Sequence, residues 1–234
     1  MSVSHAHLLA LIHRRLASFG AQALAPYLAE WPVSQDAGSD AASTALRGAD
    51  AAPALPVLRW LPCIAADAHS IDPELVGAVC RAAPSLAWRQ TYGPDEVGAA
   101  FVENYGWTEL FGARGRERAK TAGGLLLLGP NTSYPAHRHE AEEIYLPLSG
   151  AADWRQGDAI WRKRPPGTLI HHCSEEIHAM RTGDEPLLAL YLWQSARLSQ
   201  KARLEPADAG RPHAGRPHAA RPDAARQTSA GGRP

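Results

Sequence analysis

Residues 134 to 150 read Tyr134-Pro-Ala-His137-Arg138-His139-Glu-Ala-Glu-Glu143-Ile144-Tyr145-Leu-Pro-Leu-Ser-Gly150, a stretch too polar at its centre to be ordinary core. In an extended strand alternate side chains share a face, so His137 and His139 point one way and Arg138 the other. A turn over residues 140 to 142 folds the chain back and brings Glu143 and Tyr145 over the same pocket. Two imidazoles and a carboxylate that converge are the donor set of a borderline divalent ion, Zn²⁺, Fe²⁺ or Mn²⁺. The apolar runs on either side, Leu125 to Leu128 before and Ile144, Leu146 and Leu148 after, read as buried strands. The polar residues between them therefore sit at a core boundary and need partners.

The spacing His137-x-His139, three residues, Glu143, six residues, Gly150 resembles the first signature of the cupin superfamily. That resemblance implies a mainly β fold, the cupin double-stranded β-helix or jelly-roll barrel, with one divalent transition metal ion inside it.

Outward from this stretch, composition narrows the function classes. The chain has 234 residues, 45% of them hydrophobic, with 24 basic and 24 acidic side chains and a formal charge of zero. A real core is affordable at that length. A balanced charge carries no electrostatic footprint for nucleic acid or an anionic membrane, and no apolar run is long enough to span one. The expected partner is a small molecule. Cys63, Cys80 and Cys173 are odd in number and widely spaced, which speaks for reduced thiols in a cytoplasmic protein. The apolar run Leu8 to Ile12 precedes His13-Arg14-Arg15, the reverse of a secretory signal.

Leu8, Leu9, Leu11, Ile12, Leu16, Phe19, Ala23 and Leu24 recur at helical spacing and predict an amphipathic helix ending near Pro26. It packs either on the barrel or on a second subunit of a homodimer. Residues 32 to 56 are an Ala-, Ser-, Asp-, Gly- and Pro-containing connection. Asp72-Pro73-Glu74 predicts an N-capped helix with Leu75, Val76, Val79 and Cys80 on its apolar face, stopping before Pro84. Trp88, Tyr92, Phe101, Tyr105 and Trp107 form an aromatic group that suits core or barrel mouth. From about Leu110 the texture is β, with short candidate strands at 125–128, 143–148, 152–155, 158–161, 169–172, 178–181 and 187–193 between Gly, Pro and Asp turns. Beyond Arg203 the chain falls into a five-residue repeat, Gly210-Arg-Pro-His-Ala, Gly215-Arg-Pro-His-Ala, Ala220-Arg-Pro-Asp-Ala, without large apolar anchors, which predicts disorder from about Pro206. The organisation expected is an N-terminal helical segment (1–95) packing on the barrel, a metal-binding β-barrel (96–200) and a disordered low-complexity tail (201–234).

A cupin takes a further histidine from a later strand. Pro165-Pro166-Gly167 matches the opening of the second cupin motif, yet the position three residues on is Ile170. His171, His172 and His178 are the candidates. His178 is favoured because it begins the strand after the turn at residues 174 to 176, which leaves His171 or His172 beside the pocket.

Tyr134-Pro-x-His-x-His, Glu143-x-Tyr145, His178-Ala-Met180 and Pro186-Leu-Leu-Ala-Leu-Tyr-Leu-Trp193 together resemble the bacterial cupin dimethylsulfoniopropionate lyases over roughly residues 88 to 193. The resemblance implies a carbon–sulfur lyase that cleaves a zwitterionic substrate, dimethylsulfoniopropionate, to dimethyl sulfide and acrylate by β-elimination. It also implies metal ligands at His139, Glu143, His178 and, in some states, His137 or Tyr145, with Tyr145 as base. Tyr134 and Trp193 would face the sulfonium by cation–π attraction, worth about 0.5–2 kcal/mol, with His137 also lining the substrate pocket. An iron-dependent cupin dioxygenase and a non-catalytic small-ligand-binding cupin are the competing readings of the same donors.

Overall fold

The computed structural model describes residues 3–32, 54–112 and 119–206. Most of the 32–56 connection and the repeat beyond Pro206 lie outside them. The chain opens with α1 (His5–Ala17), capped by the Ser4 side chain, which accepts the His7 N–H at 3.2 Å. It does not run on to Pro26 as the apolar spacing predicts. The backbone breaks after Ser18 and passes through Gly20 at φ +58°. It then re-enters helix as a 3₁₀ turn (Gln22–Leu24) and α2 (Ala25–Ala29). Pro26 lies in the first turn of α2, where its missing N–H costs nothing, so it starts a helix instead of stopping one. A 3₁₀ turn (Pro56–Trp60) leads into α3 (Leu61–Ala65), and α4 (Pro73–Ala82) begins where predicted, the Asp72 carboxylate accepting the Leu75 N–H at 3.1 Å. Two short helices follow, α5 (Pro94–Val97) and α6 (Ala99–Val102).

Ten strands complete the described chain: β1 (Tyr105–Phe111), β2 (Thr121–Leu128), β3 (Ser133–Arg138), β4 (Glu142–Ser149), β5 (Ala152–Gln156), β6 (Arg162–Arg164), β7 (Ile170–His172), β8 (His178–Thr182), β9 (Leu187–Gln194) and β10 (Arg203–Leu204). They form two five-stranded antiparallel sheets in the orders β1-β2-β9-β4-β7 and β10-β3-β8-β5-β6. This is the cupin sandwich that the first motif implies.

Several boundaries differ from the sequence reading, three of them near the site or the sheet edges. The first strand starts at Tyr105, inside the aromatic group. Residues 158–161 are a turn region after Gly157 (φ +51°), with Ile160 72% exposed and the guanidiniums of Arg155 and Arg181 about the Trp161 ring at 5.0 and 4.5 Å. Strand β10 belongs to the sheet and not to the tail: Leu204 packs on the barrel core, and Ala202 is buried with its carbonyl accepting the Tyr92 hydroxyl at 3.4 Å.

The first sheet is buried on both faces. Along β4, Ile144, Leu146 and Leu148 point away from the barrel and join Leu125, Leu127, Leu188, Leu190 and Leu192 under the helices, against Leu8, Ile12, Leu16, Val76 and Val79. Leu126, Leu128, Tyr145, Ala189 and Tyr191 point the other way, into the barrel, where they meet Trp154, Ile170 and Met180. The period-2 alternation of the strands thus feeds two cores. At the end of β4, Asp67 in the turn after α3 accepts hydrogen bonds from Ser149 Oγ (2.8 Å) and Gly150 N (2.9 Å), tying the helical layer to the hairpin. Gly150 takes φ +74°, and a Cβ there would run into the Pro186 carbonyl, which accounts for the glycine that closes the motif.

Candidate metal centre

His137, at the end of β3, His139 just beyond it and His178 at the start of β8 are all buried, and one ring nitrogen of each lies within 4.8 Å of those of the other two. All three rings are fixed in the same way. Nδ1 of His137 contacts the Pro135 carbonyl at 2.9 Å, that of His139 the Ala141 carbonyl at 2.8 Å and that of His178 the Glu176 carbonyl at 2.9 Å. With Nδ1–H donated to a carbonyl, Nε2 is the nitrogen each ring has left to ligate an ion, as in metal-binding histidines.

The opposite wall comes from the first sheet. Register places Glu143 of β4 between Trp193 of β9 and His172 of β7. Glu143 Oε2 lies 3.0 Å from His139 Nε2 and 3.3 Å from His178 Nε2, and Oε1 accepts the Trp193 indole N–H at 2.6 Å. Tyr145, two residues along β4, is buried on the same side, near enough for the Glu143 charge to act on its phenol. Tyr134 stacks on His137 with centroids 4.3 Å apart, and its hydroxyl is 3.4 Å from that of Tyr105 within a cluster that includes Phe101 and Tyr92.

Charge in this buried interior follows from burial and from Glu143. Desolvation alone would raise the Glu143 carboxyl, but the His139 and His178 rings outweigh it and hold it well below its usual range. Burial pulls His139 down, and the Glu143 carboxylate more than reverses this. Burial and the neighbouring His178 push His137 far down, and burial with Glu143 close by pushes the Tyr145 phenol far up. Without a cation the tyrosine is a neutral phenol.

Does a metal ion fit? His178 Nε2 is buried and faces the Glu143 carboxylate at 3.3 Å without hydrogen-bond geometry, a juxtaposition that a cation between the two would satisfy. Three preset imidazoles beside a carboxylate are the donor set that nitrogen- and oxygen-binding divalent ions take. The buried three-histidine cluster is thus suited to one metal ion.

Of the residues named from sequence, His137, His139, Glu143, Tyr145, His178, Tyr134 and Trp193 all converge on this interior. Of the three later histidines considered, His178 is the one that joins His137 and His139 in the cluster. His171 is exposed and meets Glu142 outside at 2.6 Å. His172 is fully buried and lies flat on His178, centroids 4.1 Å apart and planes 15° from parallel. Sequence reasoning left the Trp193–Glu143 hydrogen bond unread. Both partners were visible, but their adjacency depends on the register of β4 against β9.

Residues 34–189 match the dimethylsulfoniopropionate (DMSP) lyase family. The chain belongs to that family. It is similar to the DMSP lyase DddQ of Ruegeria pomeroyi, 35% identical over 108 residues that make up 46% of this chain and 54% of that protein. To the putative DMSP lyase DddL of Cereibacter sphaeroides it is 35% identical over 142 residues, 55% of this chain and 59% of the other. The chain therefore spans between half and three fifths of the length of these curated DMSP lyases. Among solved structures, it resembles a chain described with the crystal structures of the DMSP lyases RdDddP and RnDddQII, with TM-score 0.63, 30% identity and coverage of 87% of this chain and all of that one. It also resembles DddQ from Ruegeria pomeroyi, with TM-score 0.58, 26% identity and coverage of 82% and 95%. Among the described residues no helix is long and apolar enough to cross a membrane.

Proposed function

We propose that the protein is a metal-dependent DMSP lyase, with His137, His139, Glu143 and His178 as the ligand set and Tyr145 as the base. The observation that carries this reading is the placement of Tyr145 in the same buried interior as the histidines, beside Glu143, in a chain of the DMSP lyase family.

The reaction removes a proton from the carbon beside the substrate carboxylate. The electron pair of that C–H bond forms the C=C bond of acrylate, and the neighbouring C–S bond breaks with its pair going to sulfur, so that neutral dimethyl sulfide leaves without a general acid. A bound divalent ion supplies Lewis-acid stabilisation of the charge that develops on the carboxylate and favours the phenolate of a nearby tyrosine. Tyr145 Oη then accepts the proton. Burial alone holds Tyr145 protonated, so its basicity depends on positive charge in the cluster. Tyr134, on the His137 side, and Trp193, on the Glu143 side, offer ring faces to the sulfonium. A buried site suits elimination because low local polarity strengthens each of these electrostatic contacts.

The test is headspace detection of dimethyl sulfide from the purified protein given DMSP. Dimethyl sulfide that appears, stops after chelator treatment and returns with added divalent metal supports the reading; metal-loaded protein that releases none overturns it.

A further inference from the structure

His172 is the one histidine of the barrel interior that the reading above leaves without work. Its residue is 0% exposed, and neither ring nitrogen has a hydrogen-bond partner. An imidazole buried in this way is less favourable than an apolar side chain of the same shape, so packing alone gives no reason for it.

Its surroundings give one. His172 sits on β7, an edge strand of the first sheet, and His178 on β8 of the second, so their stacked rings bridge the two sheets at the cluster. The turn between them supplies Glu176, which touches both. Its backbone carbonyl faces His178 Nδ1 at 2.9 Å, and its Oε2 lies 3.6 Å from His172 Nδ1. That carboxylate is itself fixed, accepting from the Cys173 N–H at 3.1 Å and from Gln156 Nε2 at 3.3 Å. Gln156 in turn lies opposite His178 in the β5–β8 register. At 3.6 Å the His172–Glu176 contact is attraction without a hydrogen bond. It is still enough to favour the tautomer with N–H on Nδ1 and to set the ring plane. A phenyl ring would stack without that orienting pull.

We propose that His172 is a positioning residue that holds the His178 imidazole in its ligating orientation, by lying flat against it under the direction of Glu176. This rests on the metal-site reading of His178 and not on the identity of the substrate. Second-layer partners of ligating histidines typically change metal affinity about 10- to 100-fold.

The experiment loads the full chain with Co²⁺, whose visible spectrum reports ligand geometry, and follows release of the ion to excess chelator well below the unfolding temperature. His172→Ala is expected to release Co²⁺ about tenfold faster or more, with a changed spectrum, and His172→Phe to fall between Ala and the wild type, because it keeps a flat ring but loses the pull of Glu176. If His172→Ala fails to fold, His172→Leu fills the volume without a flat ring and carries the same expectation. Wild-type release rate and spectrum in the Ala or Leu variant overturn the proposal. So does a Phe variant as defective as Ala. Wild-type protein that takes up no Co²⁺ removes the metal site and this role together, whereas protein that binds Co²⁺ but shows no lyase activity with any divalent ion leaves this role standing and overturns only the lyase reading.

Discussion

The Trp193 indole N–H holds one oxygen of Glu143 at 2.6 Å, and the other oxygen faces His139 and His178 at 3.0 and 3.3 Å. The carboxylate is therefore divided between a structural contact and the histidine cluster, which leaves a single oxygen facing any ion held there. Trp193→Phe keeps the ring beside His139, at 4.6 Å between centroids in the native chain, but leaves Oε1 unpartnered. We expect the fold to survive and metal affinity to fall about 10- to 100-fold, read by chelator competition. Glu143→Ala should lose the ion altogether, and unchanged affinity in the Phe variant would show that the indole contributes packing only.

Tyr145→Phe separates the lyase chemistry from metal binding. It retains the ring against Trp154, 5.9 Å away, and removes the only atom able to take the proton. A positioned base contributes about 10²- to 10⁴-fold in rate, so turnover of DMSP should fall by that factor while metal content stays near wild type. A variant keeping more than about a tenth of the rate would exclude Tyr145 as base.

The metal-free protein should lose stability in mild acid. Burial and the adjacent His178 hold His172 at about 3, against its ordinary 6.5. Between these values the unfolded chain binds a proton that the folded chain refuses, so stability falls as pH drops through the window, by on the order of 5 kcal/mol for this residue. His137, lowered by burial and His178, acts in the same direction. Glu143, depressed by its histidines, contributes stability above its ordinary 4.5 that is lost only as pH falls through its much lower folded value. His139 runs the other way: its pKa is raised, so its contribution is complete below 6.5 and fades as pH climbs through the folded value. Urea unfolding of chelator-treated protein at pH 7, 5.5 and 4.5 tests the sum, and His172→Phe should flatten the slope. Stability that holds level across this range would contradict the burial of the two imidazoles.

Where the chain is cut at its C-terminus should matter within a few residues. Removal of everything after Pro206 takes away a segment without apolar anchors, and activity and thermal midpoint should not change. Removal after Gln200 also takes β10, which pairs with β3 opposite Arg138 and His137, and the Glu205 carboxylate that meets Arg138 at 2.6 Å. That shorter chain should melt several degrees lower and bind metal more weakly; equal melting of the two truncations would show β10 to be dispensable.

The first half of the site was legible because strand alternation is local. His137 and His139, like Glu143 and Tyr145, are two residues apart, and period 2 puts each pair on one face whatever the rest of the fold does. The apolar positions between them, Ile144, Leu146 and Leu148, announced a buried outer face, although nothing local said that helices would cover it. Which of His171 and His172 lies beside the pocket, and the bond from Trp193 to Glu143, were not legible. Both depend on lying opposite Glu143, from two strands 21 or more residues further along the chain, and single-strand patterns do not encode that pairing. Pro26 misled for a related reason, since one proline is equally a stop for the helix before it and a start for the helix after it.

Strand β4 carries Glu143 and Tyr145 on one side and Ile144, Leu146 and Leu148 on the other. The reactive wall of the barrel is thus also the floor of the helical layer. A minimal domain cut to the sandwich alone would present a broad leucine-rich sheet to solvent, an invitation to self-association. Substitutions under α1 and α4, far from any reacting atom, would reach the ligands through the thickness of a single strand. Thermal or proteolytic damage to the helices should accordingly be felt first as lost metal, before the barrel itself comes apart.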